Sequence, residues 1–104
     1  MHGLKSKLKN KKILIYGFGK TGIASFKYLN KDNYLKIFDD NKITLSKKIN
    51  KNFFIKKNEI NLFKFDFIVL SPGIDVKKCG LKKYLRKNRE KIITDLDIFY
   101  LNNS

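Results

Sequence analysis

The sequence predicts an α/β fold: an open, Rossmann-like parallel sheet of five strands with helices on both faces. Three observations predict it. The apolar run Ile13-Leu14-Ile15-Tyr16 leads straight into Gly17-Phe18-Gly19-Lys20-Thr21-Gly22. A helix-like segment follows, which is the strand–turn–helix context that a G-x-G-x-x-G fingerprint requires. Short apolar runs and helix-like segments then alternate to Leu101, as in sheets built from β-α-β units. With right-handed crossovers this alternation gives the strand order 3-2-1-4-5. At 104 residues the chain reads as one domain, 1–104.

The first strand, Ile13 to Tyr16, is apolar without alternation, as suits a strand covered on both faces of a parallel sheet. The first helix runs from about Lys20 to Asn30. In it Ile23, Phe26 and Leu29 recur at a spacing of three, Ala24 lies beside them, and Lys27 and Lys31 face water. Asp32-Asn33 makes a turn, and the second strand is Leu35 to Phe38. Ile43 to Asn50 reads as a short helix and Phe53-Phe54-Ile55 as a short third strand. Lys56 to Lys64 is a polar connector from which Ile60, Leu62 and Phe63 tuck under the sheet edge. The fourth strand, Phe65 to Leu70, stops at Ser71-Pro72-Gly73, because proline cannot extend the ladder. A further helix covers about Lys77 to Asn88, with Leu81, Tyr84 and Leu85 inward. The fifth strand is Lys91-Ile92-Ile93. Thr94 caps a last helix, since Asp97 occupies the capping-box position. That helix is rich in apolar residues (Leu96, Ile98, Phe99 and Leu101), which leaves surface for a further domain to cover.

The glycine turn has a specific chemistry. Gly17 permits the tight turn, Gly19 lets a diphosphate approach the backbone, and Gly22 lets the helix pack close to the strand. The helix N-terminus then offers unpaired N–H groups and a partial positive charge to an anion. Gly19-Lys20-Thr21 resembles the tail of a Walker A loop, but that loop needs a glycine five residues before Gly19, where Leu14 stands. The turn is therefore a diphosphate cradle and not an ATPase P-loop. Asp39 lies 22 residues after Gly17, where a dinucleotide fold puts an acid near the nucleoside. A carboxylate there accepts from ribose hydroxyls or a base N–H, and Asp40 beside it would repel a 2′-phosphate, which disfavours NADP. Ser71-Pro72-Gly73 sits at the carboxyl end of its strand, the edge at which open α/β sheets bind ligands. These residues leave two readings open: a nucleoside-diphosphate-binding domain, or an NAD-binding domain of a dehydrogenase or ligand-gated regulator.

Composition narrows the classes. The net charge is +15, yet 22 of the 24 cations are Lys, spread through every segment. Base readers favour arginine for bidentate contacts, so the charge argues for no specific nucleic-acid partner. No apolar run approaches the ~18–20 residues of a membrane span, and Met1 to Lys12 has no apolar core of a secretory signal. The lone Cys79 can form no internal disulfide, which fits a reducing cytoplasm.

Four segments together resemble the N-terminal domain of the Mur ligases. They are Lys12 to Gly22, the acids Asp39 and Asp40, Val69-Leu70-Ser71-Pro72-Gly73-Ile74, and Ile92-Ile93-Thr94-Asp95-Leu96-Asp97-Ile98-Phe99. The resemblance implies a UDP-sugar ligand, UDP-N-acetylmuramoyl-L-alanine, in a cytoplasmic ligase that adds D-glutamate during peptidoglycan synthesis. It implies diphosphate and uridine contacts at Lys20, Thr21 and Gly22, next to Gly19, where the turn itself lets a diphosphate approach. The acid at the uracil matches Asp39, followed by Asp40 and Asn41, and the loop Ser71, Pro72 and Gly73 lines the same site. Asp40 stands where other members carry Thr or Ser, and Thr94-Asp95 where many have Gly-Glu. ATP and magnesium chemistry would belong to central and C-terminal domains of the same enzyme, so this domain would bind no cofactor and the 104-residue chain alone would catalyse nothing.

Overall fold

The computed structural model describes residues 8–41 and 49–102. Four parallel strands form the sheet: β1 (Lys12–Tyr16), β2 (Tyr34–Phe38), β3 (Phe67–Leu70) and β4 (Ile92–Thr94), in the order β2-β1-β3-β4. Among the described residues, three α-helices accompany them: α1 (Lys20–Leu29), α2 (Lys82–Lys87) and α3 (Asp95–Asn102). β1 is central, with Ile13 opposite Leu35 on one side and Phe67 on the other. Its residues Ile13 to Tyr16 are wholly buried.

Alternation along β1 divides the core into two halves, because successive side chains point to opposite faces. Ile13 and Ile15 join Phe26 and Leu29 of α1 and Ile98 of α3. Leu14 and Tyr16 join Ile60, Phe65, Leu81 and Leu85. Helical segments therefore cover both faces, and the uninterrupted apolar run of β1 is the consequence.

Among the described residues the sheet has four strands, not the five expected. The missing member is the third of the expected series. Asn50 accepts the Asn52 N–H (2.8 Å), which winds Lys51–Phe53 into a 3-10 turn. Phe54, extended beyond that turn, makes a single parallel bridge to Ile37 on the outer edge of β2. That is the place the order 3-2-1-4-5 assigns to the absent strand, so the sequence of the other four holds.

Other boundaries shift for local reasons. The expected helix from Lys77 begins only at Lys82: Asp75 accepts from Lys77 N–H through its side chain (2.9 Å) and from Cys79 N–H through its carbonyl (2.9 Å), closing a separate turn. The connector after Lys56 is a 3-10 helix, Lys57–Leu62; it buries Ile60 but leaves Leu62 78% exposed, contrary to expectation. Phe65 is buried but lies outside the β3 ladder. Ala24 faces solvent, and Gly22, Ser25, Phe26 and Leu29 form the buried face of α1. The short helix expected over 43–50 falls mainly on residues 42–48, outside the described residues. The cap at α3 is as expected: Thr94 N–H donates to Asp97 Oδ2 (2.8 Å), and Asp97 N–H donates to Thr94 Oγ1 (3.3 Å). Among the described residues, no helix is long and apolar enough to cross a membrane.

Gly22 leaves no room for a side chain. A Cβ there would collide with the Gly17 carbonyl oxygen, whereas a Cβ at Gly73 would meet nothing within 4 Å. Gly22→Ala is therefore expected to lose about 1–3 kcal/mol through overpacking, outweighing the helix-propensity gain of roughly 1 kcal/mol. Urea unfolding checks this, with Gly73→Ala as the near-neutral comparison; an unchanged or raised midpoint for Gly22→Ala would contradict the contact.

Candidate functional site

The carboxyl ends of β1, β2 and β3 open on one crevice of about 500 Å³. The chain reaches it by three turns. Gly17, at φ +94°, swings the chain out of β1. A side chain at Gly17 would be strained at that φ and would press on Ser71 and Ile74 at 2.9 Å. α1 then starts at Lys20 behind Gly19, with no side-chain cap on its first N–H groups and no acid in its first turn. Those N–H groups have no intrahelical partners, so an uncapped start is a standing anion site.

The acids brace this edge. Asp39 accepts from the Phe18 N–H through Oδ2 (2.7 Å) and from the Asn41 N–H through Oδ1 (2.9 Å), tying the glycine turn to the end of β2. Asp40 Oδ2 accepts from the Tyr16 hydroxyl (2.6 Å) and from Gly80 N–H (3.3 Å). The Tyr16 oxygen in turn accepts from Leu81 N–H (3.3 Å), so a buried phenol links the β2 end to the segment before α2. Ser71 Oγ donates to the Gly17 carbonyl (3.1 Å), which seats the β3 loop against the first turn. Burial, and then the bond to Asp40, raise the Tyr16 phenol well above its usual value of 10.0, with Cys79 adding to the shift.

Most of the residues singled out in the sequence meet here. Gly19, Thr21, Asp39, Asp40, Asn41, Ser71, Pro72 and Gly73 all line the crevice. Lys20 and Gly22 do not: Lys20 is exposed at the start of α1, and Gly22 is buried beneath it against Gly17. Sequence reasoning missed Tyr16 and Lys78, both of which line the crevice. A polar tip on the last residue of an apolar strand was the available signal for Tyr16. Lys78, one of 22 lysines, carried none. Among the described residues, no cluster of His, Cys, Asp and Glu could hold a metal ion.

A parallel α/β sheet with a glycine turn at its first crossover, and a crevice at that edge, is the architecture of a nucleotide-binding domain. The chain belongs, more narrowly, to the Mur ligase MurD-like N-terminal domain family, which residues 11–93 match. It is similar to proteins named UDP-N-acetylmuramoylalanine–D-glutamate ligase. Identity is 32% over 95 residues with that of Rickettsia bellii, covering 88% of this chain and 21% of the relative. It is 30% over 101 residues with that of Wolbachia pipientis, covering 90% and 19%. It is 37% over 97 residues with that of Buchnera aphidicola, covering 86% and 22%. The chain thus spans about a fifth of the length of these relatives. No solved structure matches it.

The Tyr16 link has a pH signature. An unfolded chain ionises this phenol near its usual value of 10.0, whereas the folded chain holds the proton. Its contribution to stability is therefore full below about pH 10 and is lost as pH rises further. Tyr16→Phe is expected to cost about 1–2 kcal/mol at neutral pH, by leaving the Leu81 N–H without its partner and Asp40 with the Gly80 N–H alone. It should also flatten the alkaline decline. Unfolding free energies measured from neutral to alkaline pH test both; parallel curves for the two proteins would refute the link.

Proposed function

We propose that the crevice holds the uridine diphosphate end of UDP-N-acetylmuramoyl-L-alanine, and that the chain is the substrate-holding domain of a ligase that joins D-glutamate to that substrate in peptidoglycan synthesis. One observation carries the reading: α1 begins uncapped at the mouth of a crevice whose far wall is Asp39, Asp40 and Asn41. The names of the similar proteins supply the substrate.

The geometry supports a division of labour. The diphosphate lies at the N–H groups of Lys20, Thr21 and Gly22, where the helix dipole favours negative charge. A Cβ at Gly19 would meet no protein atom within 4 Å, so backbone is accessible there. Thr21 offers a hydroxyl, and among the described residues Lys78 is the cation that lines the crevice. Lys20 acts through its backbone N–H and its long-range charge. Asn41 presents both donor and acceptor to the nucleoside. Asp39 and Asp40, already engaged with backbone and Tyr16, hold that wall in place while their remaining lone pairs face the base and ribose. Gly73 and Pro72 form the third side, close enough to touch a sugar without a side chain intervening.

Bond formation belongs to other domains of such a ligase. Activating a carboxylate with ATP needs a phosphate cradle and metal ligands, and Gly19-Lys20-Thr21 is not a P-loop. What this chain does for the reaction is to bind one substrate and fix its direction.

Amide shifts during titration with UDP are expected at Gly19 to Gly22, Asp39 to Asn41 and Gly73. Gly19→Ala and Gly73→Ala should each weaken UDP binding by roughly tenfold with unfolding midpoints unchanged. A clear preference for NAD over UDP would transfer the reading to a dinucleotide domain. Incubation of the chain with ATP, UDP-N-acetylmuramoyl-L-alanine and D-glutamate should release no phosphate; turnover would overturn the assignment of the chemistry to other domains.

A further inference from the structure

Both arginines of the chain line one groove. The other 22 cations are lysines, spread along the sequence, while Arg86 and Arg89 stand three residues apart. Lys82, Arg86 and Arg89 recur at spacings of four and three, which aligns them along one side of α2 and the 3-10 turn that continues it. With Lys77, from the turn after β3, they edge a groove of about 780 Å³. All four are exposed. The apolar lining is aliphatic: Val76, Leu85 and Ile92. Leu85 and Ile92 pack in the half of the core opposite α1 and α3. The groove and the crevice share no lining residue.

This lining selects its occupant. Guanidinium groups take carboxylates with two parallel hydrogen bonds and are more weakly hydrated than ammonium groups, so they suit a partly covered site. Among the described residues, no carboxylate lines the groove to neutralise them, and no aromatic ring lines it. A single-stranded nucleic acid would therefore find cations but no stacking platform. A flat membrane surface does not enter a concavity. An indiscriminate excess of positive charge would scatter arginine as lysine is scattered. We propose that this groove docks an acidic segment of a partner protein, with aliphatic side chains set among its carboxylates. The carboxylates pair with Arg86 and Arg89, and the aliphatic groups cover Val76, Leu85 and Ile92.

Fluorescence anisotropy at physiological salt tests this, using the 104-residue chain and a labelled peptide of repeated Glu-Glu-Leu units. The unmodified chain should bind the peptide. Arg86→Gln with Arg89→Gln should weaken binding by roughly tenfold or more, and Arg86→Lys with Arg89→Lys should restore only part of it. Lys9→Gln with Lys31→Gln removes the same charge from exposed positions outside the groove and should change it little. Unlabelled poly-glutamate and oligo-thymidine should compete less well than the unlabelled Glu-Glu-Leu peptide. No measurable binding by the unmodified chain would overturn the proposal. So would an equal loss in the lysine pair, which would mean net charge alone, or equal competition by oligo-thymidine, which would mean a nucleic-acid surface. Thermal melts confirm that each variant is folded, and the outcome does not depend on what the crevice binds.

Discussion

The end of β1 and the start of α1 touch through backbone, and the crevice at the carboxyl edge of the sheet is arranged around that contact. Gly22 lies so near the Gly17 carbonyl that no side chain fits between them. This brings the first turn of α1 in front of the strand, with its unpaired N–H groups at the sheet edge. The same carbonyl accepts the Ser71 hydroxyl, so the loop after β3 takes its position from the same atom. A single backbone oxygen thereby relates two of the three walls of the crevice. The third wall is set from the other side of the turn, where Asp39 holds the Phe18 N–H.

The acids at this edge position the loops around them. The chain has only nine carboxylate side chains, and two of them stand side by side here. Each already accepts two hydrogen bonds from the protein. Buried polar groups must find partners, and Tyr16 shows how one requirement creates another. Its ring fills the core beneath the crevice, so its hydroxyl arrives wholly shielded from water. It finds Asp40 on one side and the Leu81 N–H on the other. The β2 end and the segment before α2 are thereby tied through the last side chain of β1. A residue that looks like apolar filler in a strand organises two loops.

Charge acquires meaning only through placement. A net +15 spread over a small chain describes a general affinity for anions. The fold sorts that charge into two concave places with different chemistry. The crevice combines an uncapped helix start with carboxylates, a mixture suited to a ligand carrying both phosphate and hydrogen-bonding rings. The groove beside α2 combines guanidinium groups with aliphatic floor and, among the described residues, no acid. They share no lining residue, although the turn after β3 gives Asp75, Lys78 and Cys79 to the crevice and Val76 and Lys77 to the groove.

What the residues alone determined is what short-range physics controls. β1, the glycine turn, α1 and β2 were legible because an apolar strand, a turn that only glycine permits and an amphipathic helix follow one another within a few residues. The Thr94–Asp97 cap was legible for the same reason: both partners lie within one helical turn. The parallel order of the four strands followed from crossover handedness. Tertiary structure decided the rest. Phe53-Phe54-Ile55 has the composition of a strand, but Asn50 closes a turn over it and one bridge to Ile37 is all that remains. α2 begins late because Asp75 closes its own turn and Gly80 is drawn to Asp40, forty residues earlier in the chain. The role of Tyr16, the place of Lys78 and the shared groove of Arg86 and Arg89 all depend on which elements the sheet makes neighbours. Such neighbours are set by packing between distant segments, and no local pattern of residues records them.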